Sequence, residues 1–153
     1  MAANATGAAN SFKAEILQAI HNLGVTVTRA STGADTVKAA LYVQNSSIGP
    51  STTAYTATGE VSGTNYTAGG QIVTNATAPT TGGGATAYWT PSANISWTTV
   101  TLSTLFDCAL LYNASQGNRA IVACTFGAQT VTAGNFALTI PANGPTTGLI
   151  QLT

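Results

Sequence analysis

Charge is what this sequence has least of: four Lys/Arg and four Asp/Glu in 153 residues, or 5% charged, against roughly 25% in an average soluble chain. Binding a nucleic-acid backbone takes clustered Lys and Arg to displace counterions, and Lys13, Arg29, Lys38 and Arg119 stand singly. No run approaches the ~18 continuous apolar residues of a membrane span. Residues 1–10 have neither the basic region nor the apolar run of a signal peptide. Nucleic acid and membrane are therefore not expected as partners, and the chain is expected to be made in a cytoplasm. Without a leader, the Asn-x-Ser/Thr triplets at Asn4, Asn45, Asn65, Asn75, Asn94 and Asn113 read as chance in a Thr-rich chain.

The groups that carry chemistry are equally scarce. The one histidine, His21, excludes any site that needs two, and it reads as a surface or boundary residue. The carboxylates Glu15, Asp35, Glu60 and Asp107 are isolated in sequence, so no acid/base pair is expected; Asp35 suits a turn or cap and Glu60 solvent. Two cysteines and one distant histidine lack zinc-site spacing. The glycine run at Gly82, Gly83 and Gly84 lacks the Lys-Ser/Thr of a phosphate loop. No catalytic, metal-binding or cofactor-binding residue is expected, and the chain reads as non-enzymatic.

What is abundant is threonine, 28 of 153 residues, together with Ser, Asn, Gln and 16 Gly. Thr favours strands and Gly favours turns, and the length suits one domain. A chain with net charge near zero is prone to association, so much of its surface is expected to lie against other protein chains.

One segment has a helical period. Phe12, Ile16, Ala19, Ile20 and Leu23 gather on one face of a helix over about 11–23. Asn10 or Ser11 can cap it, Glu15 lies near its positive end, and Gly24 can end it. Residues 1–10 read as a flexible arm, and 11–153 as a single domain. The rest alternates like short strands at 36–43, 53–61, 70–75, 85–89, 95–102, 106–112, 120–126, 136–140 and 149–152. In the first, Val37, Ala39, Leu41 and Val43 share one face and Lys38 and Tyr42 the other. This pattern predicts a mainly β fold, an antiparallel sandwich with the jelly roll as one arrangement, plus the N-terminal helix.

If 106–112 and 120–126 form a hairpin symmetric about Gln116, Cys108 and Cys124 face each other on one side of the sheet. A disulfide is then geometrically open, though a reducing cytoplasm favours two buried thiols. Tyr55, Tyr66, Tyr88, Trp89 and Trp97 raise a second possibility, a glycan-binding platform. Alternation places Trp97 in the core, and the adjacent Tyr88 and Trp89 point to opposite faces of a strand.

Residues 55–70, Tyr55-Thr-Ala-Thr-Gly-Glu60-Val-Ser-Gly63-Thr-Asn-Tyr66-Thr-Ala-Gly69-Gly70, resemble a stretch of a family of small bacteriophage virion proteins. Its pattern is Gly/Asn-Glu-Val-Ser-Gly-x-x-Tyr-x-x-Gly-Gly. Other landmarks agree in order: Ser11-Phe12-Lys13, Asp35-Thr-Val-Lys38-Ala-Ala-Leu-Tyr42, Trp97, Ala109-Leu-Leu-Tyr112, Phe126-Gly127, Gly134-Asn-Phe136 and Gly148-Leu-Ile-Gln-Leu152. Where relatives often show Ala-Arg-Gly before a strand, this chain has Phe106-Asp107-Cys108, so no Arg-dependent contact carries over. The resemblance implies a β-rich structural protein of the virion, with capsid decoration (cement) proteins among the members. It implies the major capsid protein and further copies of the chain, as a dimer or trimer, as partners, and the capsid surface as the location. A tail or connector component is the alternative within the particle. Glu60-Val61-Ser62-Gly63 itself reads as a turn, Gly63 supplying its conformation and Gly69-Gly70 a second bend or a close backbone approach.

Overall fold

The computed structural model describes residues 4–9, 12, 16, 20, 21, 23, 24, 34–82 and 86–153. Its elements are strands: β1 (Gly7–Ala8), β2 (Val37–Val43), β3 (Gln71–Ile72), β4 (Thr80–Gly82), β5 (Thr86–Trp89), β6 (Ile95–Asn113), β7 (Arg119–Leu138) and β8 (Ile150–Leu152). They form two sheets, ordered β1-β7-β6-β2-β3 and β4-β5-β8. All pairings are antiparallel. Apolar residues from both sheets, Trp89 and Ile150 from the smaller one and Leu41, Trp97 and Leu110 from the larger, join one buried cluster. The expectation of a mainly β fold with antiparallel sheets holds.

No helix is among the elements of the described residues, so the helix expected over about 11–23 is not borne out. Most of that segment lies outside the described residues, as do Gly83 and Gly84. Of the expected apolar stripe, Phe12 and Leu23 are in the core and Ile16 packs against it.

The dominant feature is the β6–β7 hairpin, longer than the sequence suggests. The strands expected at 95–102 and 106–112 are one strand, as are 120–126 and 136–140 as far as Leu138. Residues 103–105, Ser-Thr-Leu, read as a break because all three point to solvent. In the structure they stay in the strand while the register shifts through bulges around them. At two of these shifts Thr99 (φ 53°) and Ala133 (φ 45°) adopt left-handed backbone. Thr99 N–H donates to Asn135 Oδ1 at 2.9 Å, and Ala133 N–H to Thr101 Oγ1 at 3.0 Å. These side chains satisfy amides that the ladder has lost.

A bulge also corrects the cysteine geometry. The hairpin closes as expected, Asn113 opposite Arg119, with Gly117 and Asn118 at positive φ in the turn. Between Leu111 and Tyr112 the register slips: Tyr112 pairs with Ala120 but Leu111 with Val122. Cys108 therefore opposes Thr125, and Cys124 opposes Ala109. A shift of one residue places the two cysteines on opposite faces of the sheet, and both are buried free thiols. Burial pushes Cys108 up to about 12 and Cys124 up to about 11, so neither is a nucleophile at neutral pH.

The strand β2 is buried on both faces rather than one, since Ala40 and Tyr42 are as inaccessible as Val37, Ala39 and Leu41. The cover on the Tyr42 side comes from residues 53–70. These were expected to include a strand at 53–61, but they supply only single bridges, Ala54 to Arg119, Glu60 to Tyr42 and Thr64 to Thr101. At the far end of the hairpin Phe106, Phe126 and Phe136 pack ring on ring, with centroids 5.0 to 5.9 Å apart, and Trp97 lies 5.7 Å from Phe136. Trp97 is in the core, as alternation requires.

Candidate interaction surface

The first group of polar side chains is centred on Glu60. Its carboxylate accepts from Tyr55 Oη at 2.7 Å, Tyr66 Oη at 2.8 Å and the Gly69 N–H at 2.7 Å. Tyr66 Oη in turn accepts from the Leu41 N–H of β2 at 3.0 Å. Tyr112 Oη donates to Gly69 O, and Tyr42 Oη to Thr56 O, each at 2.7 Å. The Tyr55 and Tyr112 rings stack at 4.8 Å. Burial raises the pKa of all four phenols, and the Glu60 charge raises each further. They stay protonated, and so remain donors. Glu60, expected in solvent, is the hub of a clasp holding residues 55–70 on β2 and β6.

The glycines of this stretch show why the segment fits. A Cβ on Gly63 would lie 2.0 Å from Thr101 O, where Thr64 and Thr101 exchange backbone hydrogen bonds of 3.1 and 3.2 Å. Gly63 thus serves close approach to β6, not the left-handed turn expected of it. Gly70 does both: its φ is +71° and a Cβ would lie 1.8 Å from Ala39 O. The motif that carries the family resemblance is a structural fastening.

A second group lies under the hairpin turn. Asn113 Nδ2 donates to Asp35 Oδ2 at 2.8 Å and lies 3.2 Å from His21 Nδ1, while Gln116 Nε2 donates to Asp35 Oδ1 at 3.3 Å. His21, expected at a surface or boundary, is buried edge-on to Phe12 at 4.8 Å. Burial of such a set requires mutual hydrogen bonding, and that is what these residues provide. Asp107, the remaining acidic side chain among the described residues, accepts from Asn4 Nδ2 at 2.7 Å. Asp35, Glu60 and Asp107 are thus each engaged with a different set of partners. Among the described residues no group of three His, Cys, Asp or Glu could hold a metal ion, and no helix is long and apolar enough to cross a membrane.

The aromatic residues weighed as a platform are dispersed. Trp89 and Trp97 are buried, the Trp89 indole donating to Asn75 Oδ1 and Thr77 O, and the Tyr55 and Tyr66 hydroxyls belong to the Glu60 clasp. Tyr88 is half-buried on β5. No exposed row of rings arises from this set.

What the fold does assemble is a neutral surface. Neither residues 61–106 nor residues 120–153 contain an Asp, Glu, Lys, Arg or His. Those ranges build β3, β4, β5, β8, nearly all of β7 and the far half of β6. The described charges sit instead by β2 and the turn half of the hairpin: Lys38 pairs with Tyr112, Arg119 with Asn113, and Glu60 with Tyr42. On the far half of the hairpin Ser96, Thr98, Ser103, Thr104, Thr130 and Thr132 are exposed. Beside it lies a cavity of about 430 Å³, lined by Cys124, Phe126, Phe136, Leu138, Ile140 and Leu149 among others. This partition of charge along the chain is visible in the sequence as two long uncharged ranges, although only the fold shows that they meet.

The arm expected to be flexible over residues 1–10 is described from Asn4 to Ala9. There it lies on the sheet: β1 pairs with Ala123 and Val122 of β7, Ala9 N–H donates to Ile121 O, and Ala5 N–H donates to Ile48 O. Small side chains suit it to this edge; a Cβ on Gly7 would meet Pro50 at 2.9 Å.

Comparison with known protein families, with curated proteins and with solved structures finds no match to this chain.

Proposed function

We propose that this chain is a non-enzymatic structural protein of a bacteriophage particle, a capsid decoration (cement) protein that stabilises the shell by binding across the junctions of the major capsid protein. The observation that carries the reading is the neutral, Thr/Ser-rich surface of the far half of the hairpin and the smaller sheet. Such a surface suits a wet, hydrogen-bonded interface, in which specificity comes from many polar contacts and bridging waters rather than from ion pairs. The rigid clasp at Glu60, in the stretch that resembles virion proteins, gives that surface a fixed base. The sandwich arrangement of the two sheets, with the jelly roll as one form of it, belongs to the same reading. So do location on the capsid surface and assembly as a homo-oligomer.

The tail or connector alternative shares this surface chemistry and is separated by position. Electron microscopy of particles carrying a labelled chain tests the two directly. Density at regular positions over the capsid lattice is the expected result, and density at the tail alone overturns the cement assignment. The glycan-binding alternative has little in its favour, since two of its five aromatic candidates are buried and two are committed to Glu60.

A further inference from the structure

Among the described residues, the outer edge of β7 is unpaired along most of its length. On that side β1 covers only Val122 and Ala123, and the Thr6 hydroxyl takes the Thr125 N–H at 2.7 Å. Among the described residues no strand pairs with the outer side of β7 beyond that point. Exposed strand edges are ordinarily guarded by Lys, by Pro or by bulges. The first part of this edge is guarded by bulges, where the register shifts near Gln129, Val131 and Gly134. Its last part is not. From Phe136 to Leu138 the ladder is regular, with Phe136 opposite Trp97, Ala137 opposite Ser96 and Leu138 opposite Ile95, and residues 126–139 contain neither a charge nor a proline.

We propose that this edge is a self-association site, at which two copies of the chain pair antiparallel through Phe136–Leu138 about a twofold axis and continue one sheet across the dimer. A twofold contact brings each residue against the same stretch of the other copy, so any charge on the edge would meet its like. The absence of charge over residues 126–139 removes that obstacle. An axis normal to the sheet preserves the two faces, so a residue can oppose only itself or one an even number of positions away. With Ala137 opposite Ala137, Leu138 of the second copy lies opposite Phe136 of the first. Both are among the residues lining the 430 Å³ cavity, so the second copy's apolar side chains arrive at its margin. The same side of β7 already accepts an uncharged strand of this chain, β1, at Val122 and Ala123, near the other end of β7. The contact yields a dimer, not a trimer, and it does not depend on the virion reading.

Sedimentation velocity of the full chain over a range of concentrations tests it, with Ala137→Lys, Ala137→Glu and an equimolar mixture of the two. Ala137 is exposed on β7, so its substitution leaves the core intact, which circular dichroism verifies. The wild-type chain is expected to dimerise. Each variant alone is expected to raise the dimer dissociation constant by roughly tenfold or more, and the mixture to restore dimers. Thr139→Lys, one residue past the end of β7 and opposite Asn135 of the second copy in this register, sets a charge beside the contact and is a second variant should either Ala137 variant misfold. A wild-type monomer at every concentration overturns the proposal, as does a dimer untouched by all of these substitutions. A mixture no more dimeric than its components overturns the twofold register, and with it the stated contact.

Discussion

Asn4 donates its side-chain amide to Asp107 Oδ1 at 2.7 Å, joining two residues 103 positions apart in the chain. The same Asn4 accepts, through Oδ1, from the Ile48 N–H at 2.8 Å and from Ser46 Oγ at 3.0 Å. One side chain thus fastens the N-terminal segment to the 44–50 loop and to β6 together. Asn4→Ala leaves these groups without their partner and is expected to cost about 1–2 kcal/mol, read as a lower urea midpoint with an unchanged slope. Stability equal to wild type contradicts a fastening role for the segment.

The Glu60 clasp predicts a graded response. Glu60→Ala strips the acceptor from two tyrosine hydroxyls and one amide, and a loss of about 3 kcal/mol is expected. Glu60→Gln keeps one carbonyl oxygen in place and is expected to cost about 1 kcal/mol. Equal losses for the two would show that the carboxylate is not shared among the three donors.

Two glycines separate close packing from open surface. Gly70→Ala drives a methyl into Ala39 O at a left-handed backbone and is expected to destabilise by more than about 3 kcal/mol. A Cβ on Gly127 meets nothing within 4 Å, so Gly127→Ala is expected to fall within about 0.5 kcal/mol of wild type. Thermal unfolding of both variants reads the difference, and a tolerated Gly70→Ala contradicts the backbone contact.

Alkaline pH acts on the same clasp. Tyr55 is raised from its ordinary 10.0 to about 12, first by burial and then by Glu60. Cys124 is raised from 9.0 to about 11 by burial. The folded state therefore holds these protons to higher pH than the unfolded chain does. Their contribution to stability is complete below about pH 9 and is lost as pH rises through 9–12. Urea midpoints measured across that range are expected to fall steadily, with tyrosinate absorbance rising together with unfolding rather than before it. A flat profile contradicts the buried placement of these groups.

Much of this architecture was legible from local pattern. Alternation located β2 and the halves of β6 and β7, and the Gly and Asn residues around Gln116 marked the hairpin turn. What was not legible depends on long-range registration. The symmetry about Gln116 set Asn113 opposite Arg119, but one bulged residue at Ile121 turned Cys108 and Cys124 to opposite faces. Glu60, His21 and Asp35 read as exposed or capping residues because their partners, Tyr66, Phe12 and Asn113, are brought to them by the fold. The neutral surface was present in the sequence as an uncharged 61–106 and 120–153, but only the pairing of β6 with β7 brings those ranges together.

The central claim is that a neutral surface clamps an assembled shell. A ligand that binds the assembled state alone stabilises it by mass action, and an interface without ion pairs responds weakly to salt. The decisive measurement is the thermal rupture temperature of particles with and without this chain, each at low and at high salt. The account predicts a higher rupture temperature with the chain present and a gain that persists in high salt. Equal rupture temperatures with and without the chain contradict the clamp, and a gain abolished by salt contradicts the uncharged interface.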